Sequence, residues 1–255
     1  MMELLRYGNL VKHLVLRDLG LKYRGSIFGV LWSLANPLSQ LAAYTLAFKY
    51  IMRSGPVRYP VFLLTGLLPW TFFVQSLLLG STSVVDNSAL VKKLKFPLET
   101  LPVSSVAGAL VQLLIAAAVF LPVAFLLGGA RFSWSLLALP PLLALHILFI
   151  VGLCLSLSAG TVFFRDIRHF VESSVMVLFW LTPVVYDFHA VPAKLKTFLM
   201  LNPMTLFTDM YQDVLYRQVA PSPISAAGAA AYTAAALGAG MLIFGRLKSR
   251  FAELL

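Results

Sequence analysis

Hydrophobic and polar positions alternate along this chain in long blocks, not in short strand-like steps. Stretches free of Asp, Glu, Lys and Arg run from Ser26 to Phe48, Tyr59 to Val85, Leu101 to Ala130, Phe132 to Phe164 and Gln218 to Gly245. A shorter one, Ser173 to Tyr186, reaches spanning length when Phe170 and Val171 are added, with Glu172 near one end. About 20 apolar residues carry a helix across the hydrocarbon core of a bilayer. The pattern therefore predicts an all-α integral membrane protein, a single transmembrane domain over 1–255. Its six helices are expected at about 27–50, 59–83, 103–128, 138–163, 170–188 and 224–245.

Composition agrees. Sixty per cent of residues are hydrophobic and 12% charged, against roughly 25% charged in soluble domains. Met1 to Arg24 carries charges throughout and lacks the short apolar core of a secretory signal. The single cysteine, Cys154, falls inside the fourth span, so disulfides are not expected.

Lysine and arginine set the orientation. One side gathers Arg6, Lys12, Arg17, Lys22, Arg24, Lys92, Lys93, Lys95, Arg165, Arg168, Arg246, Lys248 and Arg250, 13 of the 20. The other holds Lys49, Arg53, Arg58, Arg131, Lys194, Lys196 and Arg217. Both termini are thus expected in the cytoplasm. The net charge of +10 reflects this bias and attraction to anionic lipid, and no nucleic-acid partner is expected.

Absences narrow the function. The one ionisable group deep in a span is His146, with no carboxylate beside it, which argues against coupling to an ion gradient. Helix packing or a pore-facing position suits it better than catalysis. There is no G-x-x-x-x-G-K-[ST], H-E-x-x-H or G-x-S-x-G motif. His13, His146, His169 and His189 are too scattered for a metal site. No catalytic residue, metal or cofactor is expected in this chain, so any transport must draw its energy from a partner.

The cytoplasmic segments hold candidate contacts. At 100° per residue, Arg6, Asn9, His13, Arg17, Gly20 and Arg24 share an arc of about 80°, which predicts an amphipathic interface helix over 3–24. It serves either as a lipid anchor or as a docking surface. The loop 86–97 reads DNSALVKKLKFP. Asp86, Asn87 or Ser88 can cap a short helix that Pro97 ends. Leu90 and Leu94, four apart, share its face, with Val91 beside them and Lys92, Lys93 and Lys95 pointing elsewhere. That is a knob for another protein's groove, or only a positive-inside loop with helical character. In FFRDIRHF (163–170), Asp166 can cap the next helix.

On the outer side, the segment 189–217 is too long for a simple turn. Asn202 can cap a helix there and Pro203 can start it, which predicts either two short re-entrant helices at an outer gate or an amphipathic loop lying flat on the membrane. Phe28, Trp32, Tyr44 and Phe48 in span one, with Phe179, Trp180 and Tyr186 in span five, serve either as interface-belt rings or as walls against which sugars stack. Gly152, Ser156 and Gly160 form a small-residue stripe for close helix packing, and Gly25 and Gly29 mark a bend into span one.

Several of these blocks, in order and over most of the chain, resemble one family. LKYRGSIFGVLWSLANPL (21–38), GLLPWTFF (66–73), NSALVKKLKFPLETLPVS (87–104), FFRDIRHFVE (163–172), FWLTPVVY (179–186) and LNPMTLFTD (201–209) look like the permease subunits of type-2 ABC exporters, in the branch that moves O-antigen, capsule or teichoic acid. The resemblance implies a homodimer resting on two separate ATP-binding subunits, which bind the ATP and Mg. It implies that the 3–24 helix and a coupling helix within 86–97 meet those subunits, that 189–217 forms outer gating helices, and that spans one and five line the channel. The function expected from it is export of a lipid-linked polysaccharide across the bacterial cytoplasmic membrane. Export of a smaller amphiphile such as a drug or lipo-oligosaccharide is the second reading. An intramembrane enzyme or a passive scaffold is the third.

Overall fold

The computed structural model describes residues 7–25, 32–53, 55–94, 96–126 and 133–255. The expectations for Arg6, Phe28, Gly29, Lys95 and Arg131 lie outside them. Among the described residues all regular structure is helical.

The first helix, α1 (Gly8–Tyr23), buries Leu14 and Val15 while Asn9, His13, Arg17, Gly20 and Arg24 stay exposed. It ends at Gly25, whose φ of +75° falls in the left-handed region that glycine enters without strain. Next come α2 (Trp32–Tyr44), continued by a π-helical turn Thr45–Ile51, and α3 (Tyr59–Asp86). The loop helix α4 (Ser88–Lys93) is followed by α5 (Thr100–Leu126), α6 (Leu139–Phe163) and α7 (Ile167–Leu181). Two short helices, α8 (Ala193–Leu199) and α9 (Pro203–Gln212), precede α10 (Pro223–Leu247) and a final turn, α11 (Phe251–Leu254).

Among the described residues, four helices are long and apolar enough to cross a membrane: α3, α5, α6 with its preceding turn, and α10 with the segment after it. The shorter α2 and α7 complete the bundle. Helix α7 stops at Leu181, short of the expected 188, because Thr182 precedes Pro183 and adopts an extended conformation (φ −105°, ψ 133°).

The hub is α3. At 28 residues it is about 42 Å long, and 78% of its apolar window is buried, against 22% for α10. It packs on α5, α6, α7 and α9. Six hydroxyls satisfy themselves locally: Thr65, Thr71, Ser81, Ser83, Ser104 and Thr182 each donate to a carbonyl three or four residues back, at 2.7–3.1 Å, whereas Ser76 of α3 is buried without such a bond. The local bond spares those six the cost of an unpaired donor in hydrocarbon.

His146 is fully buried. It stacks on Phe207 at 4.7 Å and meets Phe72 edge-on at 5.4 Å, so it is a packing residue.

The connecting segments sort to two ends, in step with the charge pattern. At one end α1, α4, the start of α5 and the 244–255 segment share a core of Leu14, Val84, Val91, Leu101, Val162, Phe244 and Phe251. At the other, the Ser133 hydroxyl donates to the Gln218 carbonyl (3.3 Å), Ser135 to Val214 (3.2 Å) and Tyr59 to Val185 (2.9 Å).

Candidate functional site

The loop helix α4 sits at the first end with its apolar side turned into its own protein. Val91 is buried and Leu90 half-buried in the core just described, whereas Lys92, Lys93 and Leu94 are exposed. The expected pairing of Leu90 with Leu94 on one face is split. The helix stops one turn before Pro97, and Leu94 is already extended (φ −124°, ψ 141°). Asn87 occupies the cap position without capping through its side chain. Its amide donates back to the Ser83 carbonyl (2.8 Å), and its Oδ1 accepts from the Arg17 guanidinium (2.8 Å). Asp166, likewise, precedes α7 without a side-chain cap bond.

That Arg17–Asn87 bond ties the interface helix to the loop helix, two segments 70 residues apart. Arg17 also pairs with Asp18 at 2.8 Å, and Lys22 Nζ donates to Gln112 of α5 at 2.7 Å. A cavity of about 650 Å³ lies between α1, the end of α3 and the first half of α5, with Arg17, Lys22, Asn87, Ser104 and Gln112 as well as Leu19, Leu21 and Leu79 on its wall. Of the expected coupling residues, the structure brings Arg17 to Asn87, the residue before α4, and leaves Arg24 exposed.

At the opposite end the two short helices differ. On α8, Leu195 and Phe198 are exposed. Helix α9 is buried throughout, wedged against α3, α6 and α10. Asn202 caps α9, its Oδ1 accepting from the Met204 N–H (3.0 Å), and Pro203 takes the first helical position, where its missing N–H costs nothing. The Asn202 amide also donates to Thr182 (2.8 Å), and the Gln212 amide donates to the Pro183 carbonyl (2.8 Å). These bonds pin the 182–187 segment, a run of turns and bends, to α9, and the second satisfies a backbone carbonyl that has no helix of its own.

Sequence reading missed the ionic centre of this end. Arg217 Nη1 lies 2.9 Å from Asp209 and 2.6 Å from Asp213, and Nη2 lies 2.7 Å from Asp187. Asp209, Asp213 and Arg217 recur every four residues, a stripe that the sequence does display. Asp187 sits 30 residues away from Arg217, and only the fold delivers it. Arg217 and Asp187 border a cavity of about 1120 Å³ walled by Phe48, Tyr186, Phe198 and Tyr216.

One pair of the expected aromatic residues joins α2 to α7. Tyr44 stacks on Phe179 with centroids 5.5 Å apart, and Trp70 of α3 joins at 5.6 Å. Phe48 stacks on Tyr59 at 6.0 Å, and the Tyr186 hydroxyl donates to the Trp180 carbonyl at 3.2 Å. Trp32 and Trp180 are both more than half exposed. Phe170, Val177 and Trp180, near seven- and three-residue spacing, form an open apolar face of α7.

Comparison with known proteins fits this architecture. A family model described as ABC-2 type transporter matches residues 9–216. The chain is 32% identical over 256 residues to the O-antigen export system permease protein RfbA of Myxococcus xanthus, covering 98% of this chain and 97% of that one. It is also 32% identical to the protein of the same name from Klebsiella pneumoniae, over 94% and 92% of the two chains. The polysialic acid transport protein KpsM of Escherichia coli matches at 22%, over 92% of each. A helical membrane bundle with this match over most of its length belongs to the ABC-2 type transporter family.

Proposed function

We propose that this chain is one of two identical channel-forming permease subunits in an ATP-driven exporter, and that its cargo is a lipid-linked polysaccharide of the O-antigen, capsule or teichoic acid type. It lies in the bacterial cytoplasmic membrane with both termini inside. Two copies of a separate ATP-binding subunit bind ATP and Mg and dock on the end that carries α1 and α4. The chain itself is a transport component with no ATPase site.

One observation carries this reading. A small helix capped by exposed Lys92, Lys93 and Leu94 is braced on a core of its own protein, in a chain similar along nearly all its length to O-antigen export permeases. A braced helix transmits a push; a solvated loop does not. At the other end, α8, α9 and the 182–187 segment serve as the outer gate around Asn202 and Pro203. The exposed rings Trp32 and Trp180 suit a channel wall facing the second copy, because flat aromatic faces stack on sugars without fixing them in place.

The test is loss of the protein in its host. Surface polysaccharide should disappear, polyprenyl-linked glycan should accumulate inside, and the tagged protein should co-purify with an ATP-binding subunit. Normal surface glycan together with retention of a smaller amphiphile selects the second transport reading. Purification without any ATPase, with no export phenotype, leaves the scaffold or enzyme reading.

A further inference from the structure

The segment 246–255 entered the sequence reading only as three positive charges, and the family match ends at 216. Its place in the fold is more specific. Phe251 is completely buried. Its ring lies 5.3 Å from Phe244, nearly perpendicular, and 6.5 Å from Phe163. Helix α11 packs directly against α4, and Phe251 shares one apolar core with Val91 of α4 and Leu14 of α1. Three residues earlier, Lys248 Nζ lies 2.7 Å from Glu99 Oε1, across 149 residues of sequence. Glu99 stands where the loop leaves α4 for α5.

The loop helix is therefore held at three places. Arg17 holds Asn87 on its approach. Phe251 backs Val91 at its centre, and Lys248 holds Glu99 beyond it, where the chain enters α5. A six-residue helix has too few internal hydrogen bonds to keep its own direction, so its bearing is set by these neighbours.

We infer that Phe251 and Lys248 are positioning residues for energy coupling: they fix the angle at which α4 presents Lys92, Lys93 and Leu94 to the ATP-binding subunit. This rests on the coupling role proposed for α4. The Lys248–Glu99 pair is half exposed (46% and 23% for the two side chains), and pairs this open contribute little to global stability. Its loss should thus tilt the helix without unfolding the protein, which separates positioning from plain structural support.

The experiment uses the intact complex in a host strain lacking the native copy. Lys248→Glu and Glu99→Lys are made singly and together, with Leu94→Asp as the control on α4 itself. Three quantities are read: surface glycan, the amount of co-purified ATP-binding subunit, and the thermal unfolding midpoint. Each single reversal should lower surface glycan about fivefold or more, the scale of an ordinary coupling free energy. Complex yield and midpoint should stay unchanged, and the double reversal should restore export. Phe251→Leu, which keeps an apolar side chain but loses the ring, should reduce export in the same way. If Leu94→Asp uncouples while both reversals export normally, the positioning role is overturned and the coupling helix stands. If Leu94→Asp is also silent, the coupling role of α4 falls and this inference falls with it. Export that drops only in proportion to complex yield or midpoint shows structural support alone and overturns the inference.

Discussion

Gly240 of α10 lies against the carbonyl of Gly152 in α6, so closely that neither position has room for a side chain. A Cβ at Gly152 would come within 2.6 Å of the Ala236 carbonyl, and one at Gly240 would overlap Gly152 itself. Helices without a solvent-driven hydrophobic effect between them associate through such close backbone contact. Gly240→Val should cost about 3 kcal/mol or more by overpacking, read as a lower unfolding midpoint in detergent. Gly238→Ala, two residues away with open space around it, should be neutral or stabilising by about 0.5–1 kcal/mol. Equal effects from the two would remove the crossing as a determinant of stability.

Arg217 binds Asp187, Asp209 and Asp213 at once, and His189 lies 3.5 Å from Asp187 beside it. Arg217→Ala strands carboxylates whose side chains are mostly buried, at a cost of about 3 kcal/mol, the low end for a buried pair because the guanidinium is 18% exposed. The 187–217 segment should loosen first, so, with that segment outside as proposed, a cysteine at Leu195 in a Cys154→Ser background should react faster with a membrane-impermeant maleimide. Arg217→Lys should keep part of the ionic contact and lose the two-branched geometry.

The coupling surface proposed for α4 can be dissected by burial. Val91→Asp places a carboxylate in an apolar core, should cost several kcal/mol, and should lower protein yield. Leu94→Asp changes an exposed residue and should leave yield and midpoint intact while weakening capture of the ATP-binding subunit. Changing Lys92, Lys93 and Lys95 to Gln should leave the orientation unchanged, since ten other basic residues hold it. Inverted topology in that triple variant would assign the loop to orientation alone.

Single cysteines in the Cys154→Ser background test the two ends. Positions Arg58 and Lys196 should be labelled from outside intact cells, and Lys93 and Lys248 only after permeabilisation. The reverse pattern would place the dock outside and end the coupling proposal.

Trp180→Ala removes an exposed ring and should reduce export with little change in unfolding midpoint. Phe179→Ala empties a place stacked on Tyr44 and Trp70 and should cost about 3 kcal/mol. Normal export in the Trp180 variant would move the channel wall elsewhere.

Much of the fold was legible because crossing a bilayer leaves so strong a pattern. The expected spans at 59–83, 103–128, 138–163 and 224–245 lie within three residues of the observed helix bounds, since charges can sit only at the ends. Asn202 and Pro203 announced α9 through local capping chemistry, and Gly152 marked a real crossing. What stayed hidden was whatever depends on distant residues meeting. Leu90 and Leu94 look equivalent on a helical wheel, yet Phe251 and Leu14 cover the core beside one and nothing covers the other. Asp187 and Arg217, or Glu99 and Lys248, read as loop charges until the fold juxtaposes them. No periodicity records that.

The buried helix α9 has a consequence for how the protein is made. Its 10 residues span about 15 Å, too little to cross a bilayer, and it carries Asp209 and Gln212 inside the protein. Such a segment cannot partition into lipid by itself. The walls that receive it include α10, which follows it in the chain and so emerges from the ribosome later. Folding of this permease is therefore not strictly vectorial: α9 must wait at the interface until α10 has inserted, and then drop in as a keystone. The end of the bundle that holds α9 is then the last to close, and a chain stalled before that step leaves open the place α9 should fill.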